Sequence, residues 1–337
     1  MAHHRPRARR VRAAGFLRLA AAAACAAVCS VGCGPGATDA AAGSGARPRV
    51  AVVPKGATHT FWQSVKRGAE AAGAELGVEV IWEAQLDEGD RAGQIQLVQQ
   101  LIGRDIDVLC LAPLDAQALA RPVADARAKG VEVLIFDSLL EGEPGSDYLA
   151  YVGTDNVAAG RLGAEALVEA MGGSGTVVLL RYRVGSASTE DRERGFLEAM
   201  AEHPGVTVSV QDRYAGASSA SAQSTALAML PALREADGVF CSQESATAGM
   251  LLALRREGLL ETTAFVGFDS SPPLVAGLRA GEIDALVVQD PVRMGALSVE
   301  LAKRHLDGGK VDAINDTGAV VVRAADLDDP RIAALVE

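Results

Sequence analysis

The chain has 337 residues, 49% of them apolar and 4% aromatic, and 32 Lys and Arg against 43 Asp and Glu give it a formal charge of −11. That length can bury two substantial cores, the apolar content excludes a mainly disordered chain, and the acidic balance argues against a nucleic-acid partner.

Arg5, Arg7, Arg9, Arg10, Arg12 and Arg18 precede an apolar run from Leu19 to Val31, with no acid among the first 32 residues. The run is short for a permanent membrane span and has the basic-then-apolar order of a secretory signal, so export is expected, to the periplasm or the outer face of the cell membrane. Loss of those arginines takes the charge to −17. Ser30-Val31-Gly32-Cys33 resembles a bacterial lipobox with serine where leucine is usual. On that reading residues 1–32 are a lipoprotein signal peptide, Cys33 is the lipid anchor and residues 33–48 are a flexible tether. Simple secretion with cleavage elsewhere is the alternative, and Arg9-Arg10 alone does not separate the Sec from the twin-arginine route. Cys110 and Cys241 each end a short apolar run and read as buried strand residues without a disulfide.

From Arg49 the chain alternates strands and helices. Val50, Val52 and Val53 read as a strand, while Phe61, Val65, Ala69, Ala72 and Leu76 recur at helical spacing. The loop between them carries Lys55, Thr58, His59, Phe61 and Trp62. Glycine followed by a Val-x-Val run closes one element and opens the next at Gly77, Gly130 and Gly205. Helical patterns over 92–103, 115–129, 156–171, 187–202, 218–234, 245–257, 272–280 and 292–307 alternate with the runs DVLCLA, VLIFD, TVVLLR, GVFCS, AFVGFD and ALVVQD. Strict alternation predicts parallel sheets covered by helices on both faces.

Polar residues end several of these strands: Asp137, Arg181, Gln243 with Glu244, Asp269 and Gln289. In open α/β sheets ligands bind at the carboxyl ends of strands. A single aspartate there is commonly a helix cap; five such ends in two halves of the chain predict a polar cleft between two lobes.

The segments VAVVPKGATHTFWQSVKRG, LAPLDAQAL, VLIFDS, YVGTDNVAAGRLGAE, TEDRERGF, VFCSQESATAGMLLAL, FVGFDSSP and ALVVQDP, in this order from Arg49 onward, resemble the type I periplasmic solute-binding proteins, in their ribose and sugar-binding branch. The resemblance implies two Rossmann-like lobes, residues 49–153 with 290–317 and residues 154–289 with 318–337. It also implies a three-crossing hinge near Thr154, Asp290 and Thr317. It places sugar contacts on Phe61, Trp62, Asp137, Arg194, Tyr214, Gln243, Asp269 and Gln289. Lys55, His59 and Ser138 depart from the ribose pattern, and Lys55 either touches an acceptor-rich or anionic solute or pairs with Asp137, Glu244 or Asp269. The implied function is capture of a small polyhydroxylated solute by a monomer without cofactor or metal, for delivery to an ABC permease. A membrane sensor is the alternative partner. A glycosidase built on Asp137 and Asp269 is a weaker alternative, since two carboxylates across a cleft can serve as acid and base. No GxSxG, HExxH or Walker loop is present, and Gly172-Gly173-Ser174-Gly175 precedes its strand where a dinucleotide fingerprint follows one.

Overall fold

The structure, a computed structural model, describes residues 47–336. The expected signal peptide, Cys33 and nearly all of the tether lie outside the described residues. The first half runs β1 (Arg49–Val53), α1 (Thr60–Leu76), β2 (Glu79–Trp82), α2 (Arg91–Ile102), β3 (Val108–Leu111), α3 (Ala120–Ala128), β4 (Glu132–Phe136) and β5 (Ala150–Gly153). The second runs α4 (Asn156–Ala170), β6 (Gly175–Arg181), α5 (Ala187–Met200), β7 (Val206–Tyr214), α6 (Ser219–Ala228), α7 (Leu230–Arg234), β8 (Gly238–Cys241), α8 (Glu244–Glu257), β9 (Ala264–Phe268), α9 (Pro272–Arg279) and β10 (Ala285–Gln289). The chain ends with α10 (Pro291–Leu306), β11 (Ile314–Asp316), β12 (Ala319–Val322) and α11 (Pro330–Val336).

These strands form two sheets of matching order, β11-β5-β4-β3-β1-β2 and β12-β10-β9-β8-β6-β7. The fold is thus α/β with two mostly parallel sheets, each flanked by helices. The expectation of parallel pairing fails at one edge, where β12 runs antiparallel to β10. The short turn from β11 to β12 explains the reversal, because it brings the chain from one sheet to the other without the helical crossover that a parallel strand requires. The chain passes between sheets after β5, after β10 and between β11 and β12.

Each sheet buries both faces. In the first, Val50 and Val52 face Trp62, Val65 and Met294, while Ala51 and Val53 face Val98, Leu101 and Val123. This alternation along one strand follows from the pleat. The second sheet repeats it, with Val177 and Leu179 toward Phe196 and Phe240, and Val178 and Leu180 toward Ala222 and Met250. Cys110 and Cys241 are free and wholly buried in β3 and β8.

In each lobe one pair of helices meets through a glycine from each partner. A Cβ on Gly195 of α5 would stand 2.1 Å from the Val157 carbonyl oxygen of α4, and one on Gly160 would stand 2.0 Å from that of Arg192. Gly68 of α1 and Gly295 of α10 make the equivalent approach in the first lobe. Only glycine permits such backbone contact. The close α4–α5 packing sets where the first turns of α5 stand over the strand ends.

Two helices depart from the sequence pattern. The helix expected over 218–234 breaks at Met229, one residue before α7 starts with Pro231 in its first turn. The helix expected from 115 starts at Ala120, because the Asp115 carboxylate accepts the N–H groups of Gln117 (3.1 Å) and Ala118 (2.8 Å) and holds a turn there.

Candidate functional site

The carboxyl ends of both sheets face one cavity. From the first lobe come Lys55 after β1, His59 at the start of α1, Phe61 and Trp62 in its first turn, Glu88 in the β2–α2 loop and Asp137 after β4. The second lobe supplies Tyr182 after β6, Ser188, Thr189 and Arg192 of α5, Gln243 ahead of α8, Asp269 after β9 and Gln289 at the end of β10.

Both aspartates hold left-handed backbone conformations, φ 61° at Asp137 and 66° at Asp269. β4 and β9 occupy equivalent places in the two sheet orders, so the two lobes aim a buried carboxylate at the cavity by the same turn. Such a turn costs about 1–2 kcal/mol for a residue with a side chain, least for Asp and Asn.

Every basic group in the cavity already faces an acid. Lys55 Nζ lies 2.7 Å from Asp137 Oδ2 and donates to Ser188 Oγ at 2.9 Å. The Lys55–Asp137 contact is one of charge without hydrogen-bond geometry, so Asp137 Oδ2 keeps an unmet acceptor site. His59 Nδ1 is 2.9 Å from Glu88 Oε1. The Arg192 guanidinium, 3.9 Å from Asp269 Oδ2, donates to Asn156 Oδ1 (2.8 Å) and the Ser242 carbonyl (3.1 Å) and sits 3.8 Å over the Phe268 ring. Gln289 donates to Asp269 Oδ1 at 2.7 Å and accepts from Thr154 Oγ1 at 2.9 Å.

Glu88 joins the lobes. Its carboxylate accepts from Trp62 Nε1 at 2.5 Å and from His59 in its own lobe, and from the Tyr182 hydroxyl across the cleft, while its carbonyl accepts from Arg183. Ser188 N donates to Ser138 Oγ at 3.0 Å and Ala116 N to the Gly185 carbonyl at 3.1 Å, so the two lobes touch directly around the cavity.

Eight of the expected contacts therefore line the cavity: Lys55, His59, Phe61, Trp62, Asp137, Gln243, Asp269 and Gln289. Phe61 and Trp62 meet edge to face at 4.8 Å and are both buried, so the two adjacent aromatics serve core and cavity together. Ser138 is fully buried behind the wall, where it holds Ser188. Gln243 spends its oxygen on the N–H groups of Ser245 and Ala246, and its amide nitrogen stands 3.4 Å from His59. Thr154 and Thr317 lie in the segments after β5 and β11, and Asp290 caps α10 by accepting Arg293 N at 2.8 Å.

Two expected contacts are corrected. Arg194 lies on the outer face of α5, with 54% of its side chain exposed, paired to Asp191 and Glu198. Two residues turn a helix by about 200°, and the inner face belongs to Arg192, four residues before the buried Phe196. Tyr214 ends the edge strand β7, is 40% exposed and stacks under Arg181. The side chain of Tyr214 turns to Arg181 at the outer edge of the sheet, and Tyr182 takes the aromatic place in the cavity. Sequence reasoning also missed Glu88, Ser188 and Thr189. The buried spacing Ser188, Thr189, Arg192, Glu193, Phe196 along α5 carries a signal for three of the missed residues. Glu88, in an irregular loop, has none beyond its place after a strand.

Burial opposes charge at both Glu88 and His59, but their mutual hydrogen bond and attraction win. The His59 pKa rises from 6.5 to about 9 and that of Glu88 falls from 4.5 to about 2, helped by Tyr182 and Trp62. Burial lifts Glu244 to about 7, against the attraction of His59, and raises Asp269.

Comparison with known proteins gives one consistent result. The family described as periplasmic binding protein domain matches residues 50–310. The D-allose-binding periplasmic protein of Escherichia coli is 30% identical over 266 residues, 77% of this chain and 85% of the relative. The periplasmic component of an ABC-type sugar transport system from Hahella chejuensis superposes with a TM-score of 0.78 at 38% identity, over 81% of this chain and 99% of the other. A carbohydrate transporter solute-binding protein from Agrobacterium radiobacter, in complex with D-arabinose, gives a TM-score of 0.82 at 32% identity, over 87% and 100%. The chain belongs to the periplasmic binding protein family.

The His59–Glu88 pair predicts a defined pH window for folding. A histidine raised from 6.5 to about 9 contributes its full stabilisation below 6.5 and loses it as pH rises through 9, whereas a glutamate lowered from 4.5 to about 2 contributes above 4.5 and loses it as pH falls through 2. Glu244, raised to about 7, sheds stability as pH rises from 4.5 through 7, so the contribution of the pair is read as the difference in unfolding midpoint between wild type and a His59 variant, full between 4.5 and 6.5 and lost toward 9. His59→Gln should flatten the alkaline decline. An unchanged alkaline profile in that variant would show that the pair does not govern it.

Proposed function

We propose that this member of the periplasmic binding protein family captures a neutral monosaccharide or polyol between its two lobes and delivers it to an ABC importer, held at the membrane surface by a lipid on Cys33. The observation that carries the choice of ligand is the pairing of all three cations in the cavity, Lys55 with Asp137, His59 with Glu88 and Arg192 with Asp269. An anionic solute gains no free cation there and meets three carboxylates. A neutral polyol instead uses the donors and acceptors these pairs leave over, including Asp137 Oδ2, and lays C–H faces against Phe61 and Trp62.

Thr154, Asp290 and Thr317 are the proposed hinge, standing where the chain passes between the sheets. Small changes there swing one lobe against the other, and the closed shape is what a permease reads. The matched relatives are named for binding and transport, and the chain is a binding protein, not an enzyme. Asp137 and Asp269 serve as hydroxyl acceptors, each fixed by a cation or amide, and not as a free acid and base.

Calorimetry with neutral aldoses and polyols beside the matching uronates tests this reading. The neutral solutes should bind and be recovered unchanged, and the uronates should bind more weakly. Arg192→Ala should weaken binding by about 3–5 kcal/mol, because it leaves Asp269 buried without its cation. Arg194→Ala, on the outer face, should leave affinity as it is. Tighter uronate binding, or equal losses in the two arginine variants, would refute the neutral-ligand site.

The anchor has its own test. Fatty-acid labelling in the native host should mark the wild-type chain and leave the Cys33→Ser variant unlabelled, and label that persists in the variant would exclude Cys33 as the sole anchor.

A further inference from the structure

Glu244 is a buried acid outside the cavity lining. It opens α8 directly after the cavity residue Gln243, is 9% exposed, and its Oε2 has no hydrogen-bond partner among the described residues. The groups that face it come from both lobes. His59 and Glu88 stand opposite in the first lobe, with the Phe61 N–H at the start of α1, and Asp269 belongs to the second. The first turn of α8 holds no other acid.

Three carboxyl groups thus surround the one imidazole of His59. Glu88 takes the direct contact at 2.9 Å and has Trp62 and Tyr182 as further donors, while Asp269 has Arg192 and Gln289. Glu244 is left with the attraction of His59 and the Phe61 N–H, which burial outweighs, and its pKa rises to about 7. A buried carboxylate short of donors is costly, and the neutral acid costs far less.

Closure creates these surroundings. α8 belongs to the second lobe and His59, Phe61 and Glu88 to the first, so separated lobes leave Glu244 facing water at a helix N-terminus, where the dipole favours the anion. The other groups keep their charge partners when the lobes part, because His59 and Glu88 share the first lobe and Asp269, Arg192 and Gln289 share the second. Glu193 makes the contrast. Burial lifts it to about 7 as well, but Tyr182, Ser242 and Arg181, which hold it, all lie in its own lobe and stay with it.

From this arrangement we infer that Glu244 binds a proton as the lobes close, so that pH sets the affinity for the solute through a residue that does not line the cavity. The sign follows from linkage. An acid ionised in the open form and half or more protonated in the closed form draws closure toward the proton-rich side, so binding tightens as pH falls through about 7. This rests on the reading that the lobes close over a neutral sugar.

Calorimetry at pH 6, 7 and 8 with D-allose, D-ribose and D-arabinose, repeated in buffers of different ionisation enthalpy, gives affinity and proton uptake together. For a sugar that binds, wild-type affinity should be about tenfold higher at pH 6 than at pH 8, with about half a proton taken up at pH 7. Glu244→Gln, an uncharged copy of the protonated acid, should bind at pH 8 about as tightly as the wild type at pH 6 and lose that uptake. Glu244→Ala should lose the uptake too, which guards against an effect peculiar to one replacement. A pH slope and uptake unchanged in both variants, or absent from the wild type, would overturn the role of Glu244 and leave sugar capture standing. If none of the sugars binds, the neutral-sugar reading falls, and the ligand-free ratio of closed to open molecules, followed by energy transfer between labels on the two lobes, decides the coupling alone. That ratio should be about tenfold higher at pH 6 than at pH 8 in the wild type and nearly level in Glu244→Gln. Equal ratios at the two pH values in the wild type would overturn the proton coupling as well.

Discussion

The closed arrangement depends on a buried carboxylate. Glu88 is 3% exposed, and an ion so placed is tolerated only when several donors replace its water. Trp62 and His59 do this from one lobe and Tyr182 from the other, with Arg183 on the carbonyl of the same residue. Separation of the lobes would remove Tyr182 and Arg183 and admit water to the carboxylate. One residue therefore orients the aromatic wall, fixes the protonation of His59 and joins the two halves of the cavity.

Around that joint the lobes follow one plan. The two sheets have the same order, and Asp137 and Asp269 arise at equivalent strand ends through the same left-handed turn. The cations that answer them differ in origin: Lys55 pairs within its own lobe and reaches across to Ser186 and Ser188, whereas Arg192 stays within the second lobe and is held by Asn156 and Ser242. The result is a cavity rich in fixed hydrogen-bonding groups but balanced in charge. Recognition there depends on the directions of donors and acceptors more than on net attraction.

Much of this was legible in the sequence because it is periodic. Alternating buried strands and helices gave the α/β layers, and Asp137, Gln243, Asp269 and Gln289 were visible as polar punctuation after apolar runs. Lys55 pairs with Asp137, one of the partners the residues left open. What escaped was set by rotation and reach. Arg192 and Arg194 are two positions apart and face opposite sides of α5, so a motif that fixes the turn without fixing the helical phase selects the wrong one. Tyr214 ends a strand just as Tyr182 follows one, but Tyr214 is exposed beside Arg181 while Tyr182 is buried against Glu88, a distinction set by side-chain direction and not by the residue pattern. Glu88 sits in an irregular loop, and its importance comes from partners 26 and 94 residues away.

The central claim is that Glu88 holds the lobes together around the ligand. Fluorescent labels at the exposed positions Lys129 of the first lobe and Glu202 of the second would report the distance between lobes by energy transfer in single molecules. In the wild-type protein a saturating bound sugar should shift the population to one short distance, and Glu88→Ala at the same sugar concentration should remain mostly at the longer one. A variant that closes as fully as the wild type would contradict the account.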